Sequence, residues 1–166
     1  MNLEVTDDSG FLAVIDPDAY QGFVASDWDL DALQLRFREQ MAARRLLIWG
    51  TGQAGFWTLR IQIGPDTSQG FREVSGSIVS TKGRLLLTNY ESLTMAAQYD
   101  DVRLPERHQA DLVITVPPGA YRCRVVQHTE HDHGGQEGAP PEFTISLENT
   151  ADLLPPWDNV PWSKDL

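Results

Sequence analysis

The sequence predicts a mainly β protein, an antiparallel β-sandwich with one early amphipathic helix at about 27–44. Three observations carry this. Short apolar segments repeat with a period of two, clusters of Gly, Pro, Asp and Ser separate them, and neither a β-α alternation nor an internal repeat is present. At 166 residues the chain fits a single domain, 1–166, large enough for a substantial core, with an irregular acidic, Pro- and Trp-containing tail from about residue 149.

Phe11 to Ile15 reads as a first strand, stopped by Asp16-Pro17-Asp18, and Tyr20 to Ala25 is a short strand or a loop. Ser26 is a candidate helix cap, with Asp27, Asp29 and Asp31 near the positive helix end. Leu30, Leu33, Phe37 and Met41 follow at helical spacing, and Arg36, Arg38, Arg44 and Arg45 lie toward the negative end. One face of this helix is expected on a sheet, as the only long helix of the chain.

Residues 46–63 contain Gly50-Thr51-Gly52-Gln53-Ala54-Gly55, a letter-for-letter match to the dinucleotide fingerprint G-x-G-x-x-G. That fingerprint needs a helix after its glycines, to place N–H groups on a pyrophosphate. Here Trp57, Leu59, Ile61 and Ile63 alternate with Thr58, Arg60 and Gln62, which is strand periodicity. The glycines are therefore expected in a β-hairpin connection, and no cofactor is expected.

Gly64 to Gly70 is a loop, Phe71 to Val79 a strand, and Thr81-Lys82-Gly83 a turn into Arg84 to Thr88. Glu91 to Tyr99 suits a strand or a short helix. Asp111 to Val116 alternates as a strand, and Pro117-Pro118-Gly119 suits a type II turn into a partner strand, Tyr121 to Val126. On it Tyr121, Cys123 and Val125 share one face, and Arg122 and Arg124 the other. Glu142 to Glu148 completes the set, with Phe143, Ile145 and Leu147 inward.

The net charge of −11 is segregated. Residues 1–31 carry eight acids and no base, residues 130–166 eight acids and only Lys164, and the middle is mildly basic. Direct nucleic-acid binding is disfavoured, because phosphate neutralisation needs a basic surface. No segment has the length and apolarity of a membrane span, and the acidic start MNLEVTDDSG lacks the pattern of a signal peptide. The lone Cys123 excludes an internal disulfide. A cytoplasmic protein without membrane contact is the expectation.

Candidate chemistry is sparse. His128, His131 and His133, beside Glu130 and Asp132, have spacing open to zinc, nickel or copper, but stand in a Gly-rich loop rather than on framework elements. Cys123 shares the inward face of its strand and reads as a packed thiol. No G-x-S-x-G elbow occurs. The remaining candidates form a recognition surface: Asp27, Trp28, Asp29, Asp31, Trp157 and Trp162, acids with aromatics that suit a basic protein partner.

Two stretches carry a resemblance. Asp27-Trp28-Asp29-Leu30-Asp31-Ala32 opens a helix after the strand near Phe11, and Leu112 to Tyr121 runs as apolar strand, Pro117-Pro118-Gly119, then Tyr121. In this order of features the chain resembles the competence protein J-like family, small cytoplasmic bacterial proteins associated with inhibition of a DNA-entry nuclease. The resemblance implies an inhibitor or immunity-like protein, not an enzyme, and no catalytic residues. The alternative is a metal-binding protein or metal-dependent enzyme using His128, His131 and His133.

Overall fold

The computed structural model describes residues 1–166. Nine strands, two α-helices and one 3-10 turn follow in the order β1 Asn2–Asp7, β2 Phe11–Ile15, α1 Leu30–Ala42, β3 Leu46–Gly50, β4 Gly55–Ile63, β5 Arg72–Ser80, β6 Arg84–Asn89, α2 Tyr90–Gln98, the 3-10 turn Arg107–Leu112, β7 Val113–Thr115, β8 Gly119–Gln127 and β9 Phe143–Asn149. A five-stranded sheet has the order β1-β4-β9-β8-β5, and a four-stranded sheet the order β3-β2-β6-β7. Pairing is antiparallel except between β4 and β9.

Two cores give the molecule three layers. Between the sheets, Leu12, Val14, Trp49, Leu85 and Leu87 of the smaller sheet meet Trp57, Leu59, Tyr121, Val125, Phe143 and Ile145 of the larger. On its other face the smaller sheet turns Ala13, Ile15, Leu46, Ile48 and Leu86 toward Leu33, Phe37 and Met41 of α1 and Leu93 and Ala97 of α2. Buried on both faces, its strands show no polar alternation; β3 is buried at all five positions. The larger sheet leaves one face open, so β4 and β8 alternate. Each fully buried Leu, Ile or Phe contributes about 1.5–3 kcal/mol of transfer free energy.

Several expectations need correction. Residues 46–63 do supply two strands, but not a hairpin: β3 and β4 lie in opposite sheets. The same holds at Pro117-Pro118-Gly119, where β7 leaves the smaller sheet and β8 enters the larger. Every strand-to-strand connection of three or four residues crosses between sheets in this way. Alpha-1 runs from Leu30 to Ala42 rather than 27–44, because Asp29, not Ser26, caps it by accepting the Ala32 N–H at 2.8 Å. Alpha-1 is the longer of two helices, and the stretch left open between a strand and a short helix is helical. Residues 90–98 form α2, capped by the Asn89 side chain accepting from Ser92 N–H. Residues 107–112 form a 3-10 turn, leaving only three residues of the predicted 111–116 strand as β7. The polar start holds β1, with Leu3 and Val5 inward.

The tail is irregular but docked. It crosses the side of the sandwich where edge strands β5 and β3 stand open. Trp157 Nε1 donates to the Ser75 carbonyl at 2.9 Å, Leu154 N–H to Ser77 Oγ at 2.8 Å, and Gly50 N–H to the Pro161 carbonyl at 2.9 Å. One carbonyl of β5 and one N–H of β3 are thereby satisfied, and the tail covers part of both edges. Two glycines make room for it. A Cβ on Gly76 would stand 2.9 Å from the Trp157 ring, and one on Gly50 would stand 2.7 Å from the Trp162 carbonyl oxygen. Gly50→Ala is therefore expected to lower stability by about 1–3 kcal/mol, the usual range for overpacking. Urea unfolding measures this, and an unchanged midpoint would show that the tail yields freely.

Candidate functional site

Asp27, Asp29 and Asp31 are all exposed around the start of α1, and Asp29 spends one oxygen as the helix cap. Beside them Leu30 and Leu35 are 46% and 53% exposed, so the acids are interleaved with apolar surface. Trp28 is half-buried against the core under the helices. The tail returns to this helix. Gln34 Nε2 donates to the Asp165 carbonyl at 2.9 Å, and Asp158, Asn159 and Val160 line a cleft with Gln34, Phe37 and Arg38. Asp158 and Asp165 are exposed, and Asp158 shares its cleft with the exposed Arg38, so the docked tail brings acids beside both the polar and the basic positions of α1.

Trp157 and Trp162 stand elsewhere in this arrangement. Trp157 is half-buried at the sandwich edge and touches both cores. Trp162, at φ 63°, lies under the Arg72 guanidinium, 4.3 Å from ring centroid to Cζ. Arg72 also donates to the Gly50 carbonyl at 3.1 Å and to Gln127 Oε1 at 2.7 Å, clamping tail, β3 and β8 together. These aromatics serve intramolecular contacts, whatever surface they also offer.

The glycine-rich stretch is a corner. Its second glycine takes φ 95°, and the chain continues as β4, not as the helix a pyrophosphate site requires. Asp7, 1% exposed, organises the turn opposite. Its carboxylate accepts from Ser9 N–H at 3.0 Å and Gly10 N–H at 2.8 Å, and lies 3.0 Å from the Thr51 hydroxyl. Burial raises its pKa, an effect that these hydrogen bonds oppose.

The three loop histidines have separate surroundings. His128 Nε2 is 2.8 Å from Thr144 Oγ1, His131 Nδ1 is 3.2 Å from Gln53 Oε1, and His133 Nε2 is buried without a partner. No group of three or more His, Cys, Asp or Glu is placed to hold a metal ion. What holds the loop is a pair of acids. Beta-4 pairs with β9 only from Leu59 onward, which leaves Phe56 and Thr58 with free N–H groups on that side. Asp132 accepts from Phe56 N–H at 2.8 Å. Glu142, 1% exposed, accepts from Thr58 N–H at 2.8 Å and from His133 N–H at 2.7 Å. Two carboxylates replace the missing length of strand. Cys123 is fully buried, which pushes its thiol up to about 12 and leaves it un-ionised.

The sequence singled out neither the corner set Asp7, Arg72 and Gln127 nor, as an anchor, Glu142; each stands at or beside a strand end, where no local pattern marks it. No helix is long and apolar enough to cross a membrane.

No family model matches the chain, and no curated protein does. Two solved structures share its fold. The one described as crocagin biosynthetic gene J superposes with a TM-score of 0.63 at 17% identity, over 89% of this chain and 95% of that one. ComJ, inhibitor of the DNA degrading activity of NucA, from Bacillus subtilis, superposes at 0.51 and 12%, over 90% and 96%. At such identities the likeness is one of fold, and it bears out the weak competence protein J-like resemblance read in the residues.

Two outcomes follow from this geometry. Glu142→Ala is expected to cost about 2–3 kcal/mol, the range for hydrogen bonds to a charged acceptor, and to speed amide exchange at Thr58 and His133. Unchanged exchange at Thr58 would refute the anchoring role. For Asp7 the raised pKa means that the folded chain holds its proton more tightly than the unfolded chain. Stability should therefore fall as pH rises from the ordinary 3.8 through the folded-state value, then level off. Asp7→Asn should lack that decline in urea melts from about pH 3 to about pH 6.

Proposed function

We propose that the protein is a non-enzymatic inhibitor or immunity-like protein that neutralises a basic protein partner, such as a nuclease or toxin. The observation that carries this reading is the docking of the acidic tail on α1, with Asp27, Asp31, Asp158 and Asp165 all exposed and Leu30 and Leu35 offering apolar surface. Acids steer a cationic partner and apolar contacts retain it, the division of labour at steered interfaces. The fold shared with ComJ supports the reading, since that protein is an inhibitor of a nuclease activity.

Asp29 caps α1, so a clean test leaves it intact. Immobilised wild-type protein should capture a basic protein from host lysate and release it on added salt. Asp27→Lys with Asp31→Lys should weaken capture about tenfold or more, through lost attraction and new repulsion. Capture that is insensitive to salt and retained by the double variant would sink the electrostatic reading.

A further inference from the structure

The largest cleft in the molecule is lined by α1 through Arg36 alone. It measures about 420 Å³, between the Pro17–Phe23 segment, α1, the end of α2 and Val102–Leu104. This is the volume range of small-molecule sites. The Tyr20 ring, Phe23, Ala96 and Leu104 supply apolar walls, while Arg36 and Arg103 contribute two guanidinium groups.

The walls are built to stay open. Val24 and Ala25 N–H both donate to the Ala97 carbonyl, at 2.8 and 3.1 Å, pinning the segment to the end of α2. Gln21 N–H donates to Gln40 Oε1 at 2.9 Å, tying it to α1. Gly22 has no side chain to spare: a Cβ there would stand 2.7 Å from the Tyr20 ring and 3.2 Å from Ala96. Phe23 is 44% exposed on this wall and gives it an apolar surface. The Tyr20 hydroxyl is sealed in without an acceptor, a polar group that the protein alone does not satisfy.

Arg103 is oriented but not consumed, and Arg36 is partly neutralised by its ion pair with Glu39. Arg103 Nη1 donates to the carbonyls of Asp100 at 2.6 Å and Val102 at 3.0 Å, which leaves its remaining donors free. Arg36 Nη1 reaches the Gln21 carbonyl at 3.4 Å, and its Nε lies 3.4 Å from Glu39. A guanidinium fork prefers a planar carboxylate or a phosphate. Here the Asp100 carboxylate also lines the void, which disfavours a dianion. A monoanionic head on an apolar body fits both charge and walls.

We propose that this void is a binding site for a small amphiphilic carboxylate, its acid group held by Arg36 and Arg103 and its apolar part against Tyr20, Phe23 and Leu104. The site is independent of the partner-docking surface and stands or falls separately from it. N-acetyl-phenylalanine is the probe, with its amide as the uncharged counterpart. Calorimetry should show saturable binding of the acid and at least tenfold weaker binding of the amide. Amide resonances of Gln21, Gly22 and Leu104 should move with the acid. Arg103→Gln, on an exposed segment, should weaken the acid about tenfold and leave the melting temperature unchanged, and Phe23→Ala should weaken acid and amide alike. Arg60→Gln, on the far face of the larger sheet, should change nothing. No saturable binding, equal binding of acid and amide, or shifts confined to another surface would overturn the site.

Discussion

Crossing between sheets is the constraint on which the structure depends. All four of the short strand-to-strand connections, after β1, β3, β5 and β7, carry the chain from one sheet to the other. A hairpin satisfies its backbone groups by pairing its own strands; a corner cannot. Each corner therefore recruits help. Asp7 accepts two N–H groups of its own turn and faces Thr51 across from it. Ser80 Oγ accepts the Gly83 N–H at the third corner. At the fourth, the Tyr121 hydroxyl donates to the Pro117 carbonyl at 2.5 Å. The corners themselves are largely exposed, but Asp7, Ser80 and Tyr121 stand at the buried strand ends beside them, where burial is tolerable because each finds a partner.

The same constraint explains the tail. Strands that leave for the opposite sheet at each corner set β5 and β3 at neighbouring open edges, with no hairpin partner to cover them. Residues 150–166 supply that cover through side chains and isolated carbonyls rather than another strand. Trp157 wedges where the two cores approach each other, and Arg72 fixes the far end over Trp162. The glycines that invited a nucleotide reading are explained here. Gly50 admits the tail backbone, Gly52 makes the corner at positive φ, and a Cβ on Gly55 would stand 2.8 Å from the Asp132 carboxylate.

Strand existence was legible where one face meets water. Trp57, Leu59 and Ile61 alternate because the larger sheet is open on one side, and Tyr121, Cys123 and Val125 do so for the same reason. Pairing was not legible, since a glycine between two apolar runs is the same signal for a hairpin and for a corner. Beta-1 was hidden by its acids, although Leu3 and Val5 alternate. Alpha-2 has only nine residues, and its clearest mark was the Asn89 cap. The acid surface was half legible: Asp27, Asp29 and Asp31 stood together in sequence, but nothing local placed the tail with Asp158 and Asp165 on α1. The void at Tyr20 drew on four separate segments and left no trace in any one of them.

Edge covering and charge presentation are therefore one device. Trp157, Val160 and Trp162 hold the tail for hydrophobic reasons, and Asp158 and Asp165 ride with them to α1. Like charges gathered this way repel, and the repulsion is borne by the packing that pins the tail. Exposed charges more than about 8 Å apart are largely screened at physiological salt, so the repulsion is modest in the free protein. Salt then acts with opposite sign on the two properties of this surface. It relieves repulsion within the fold, and it weakens attraction to a cationic partner. Alpha-1 itself balances Asp31 and Glu39 with Arg36 and Arg38, so Asp27 ahead of it and the docked tail are what tip this surface toward acid, and that excess is what the proposed function draws on.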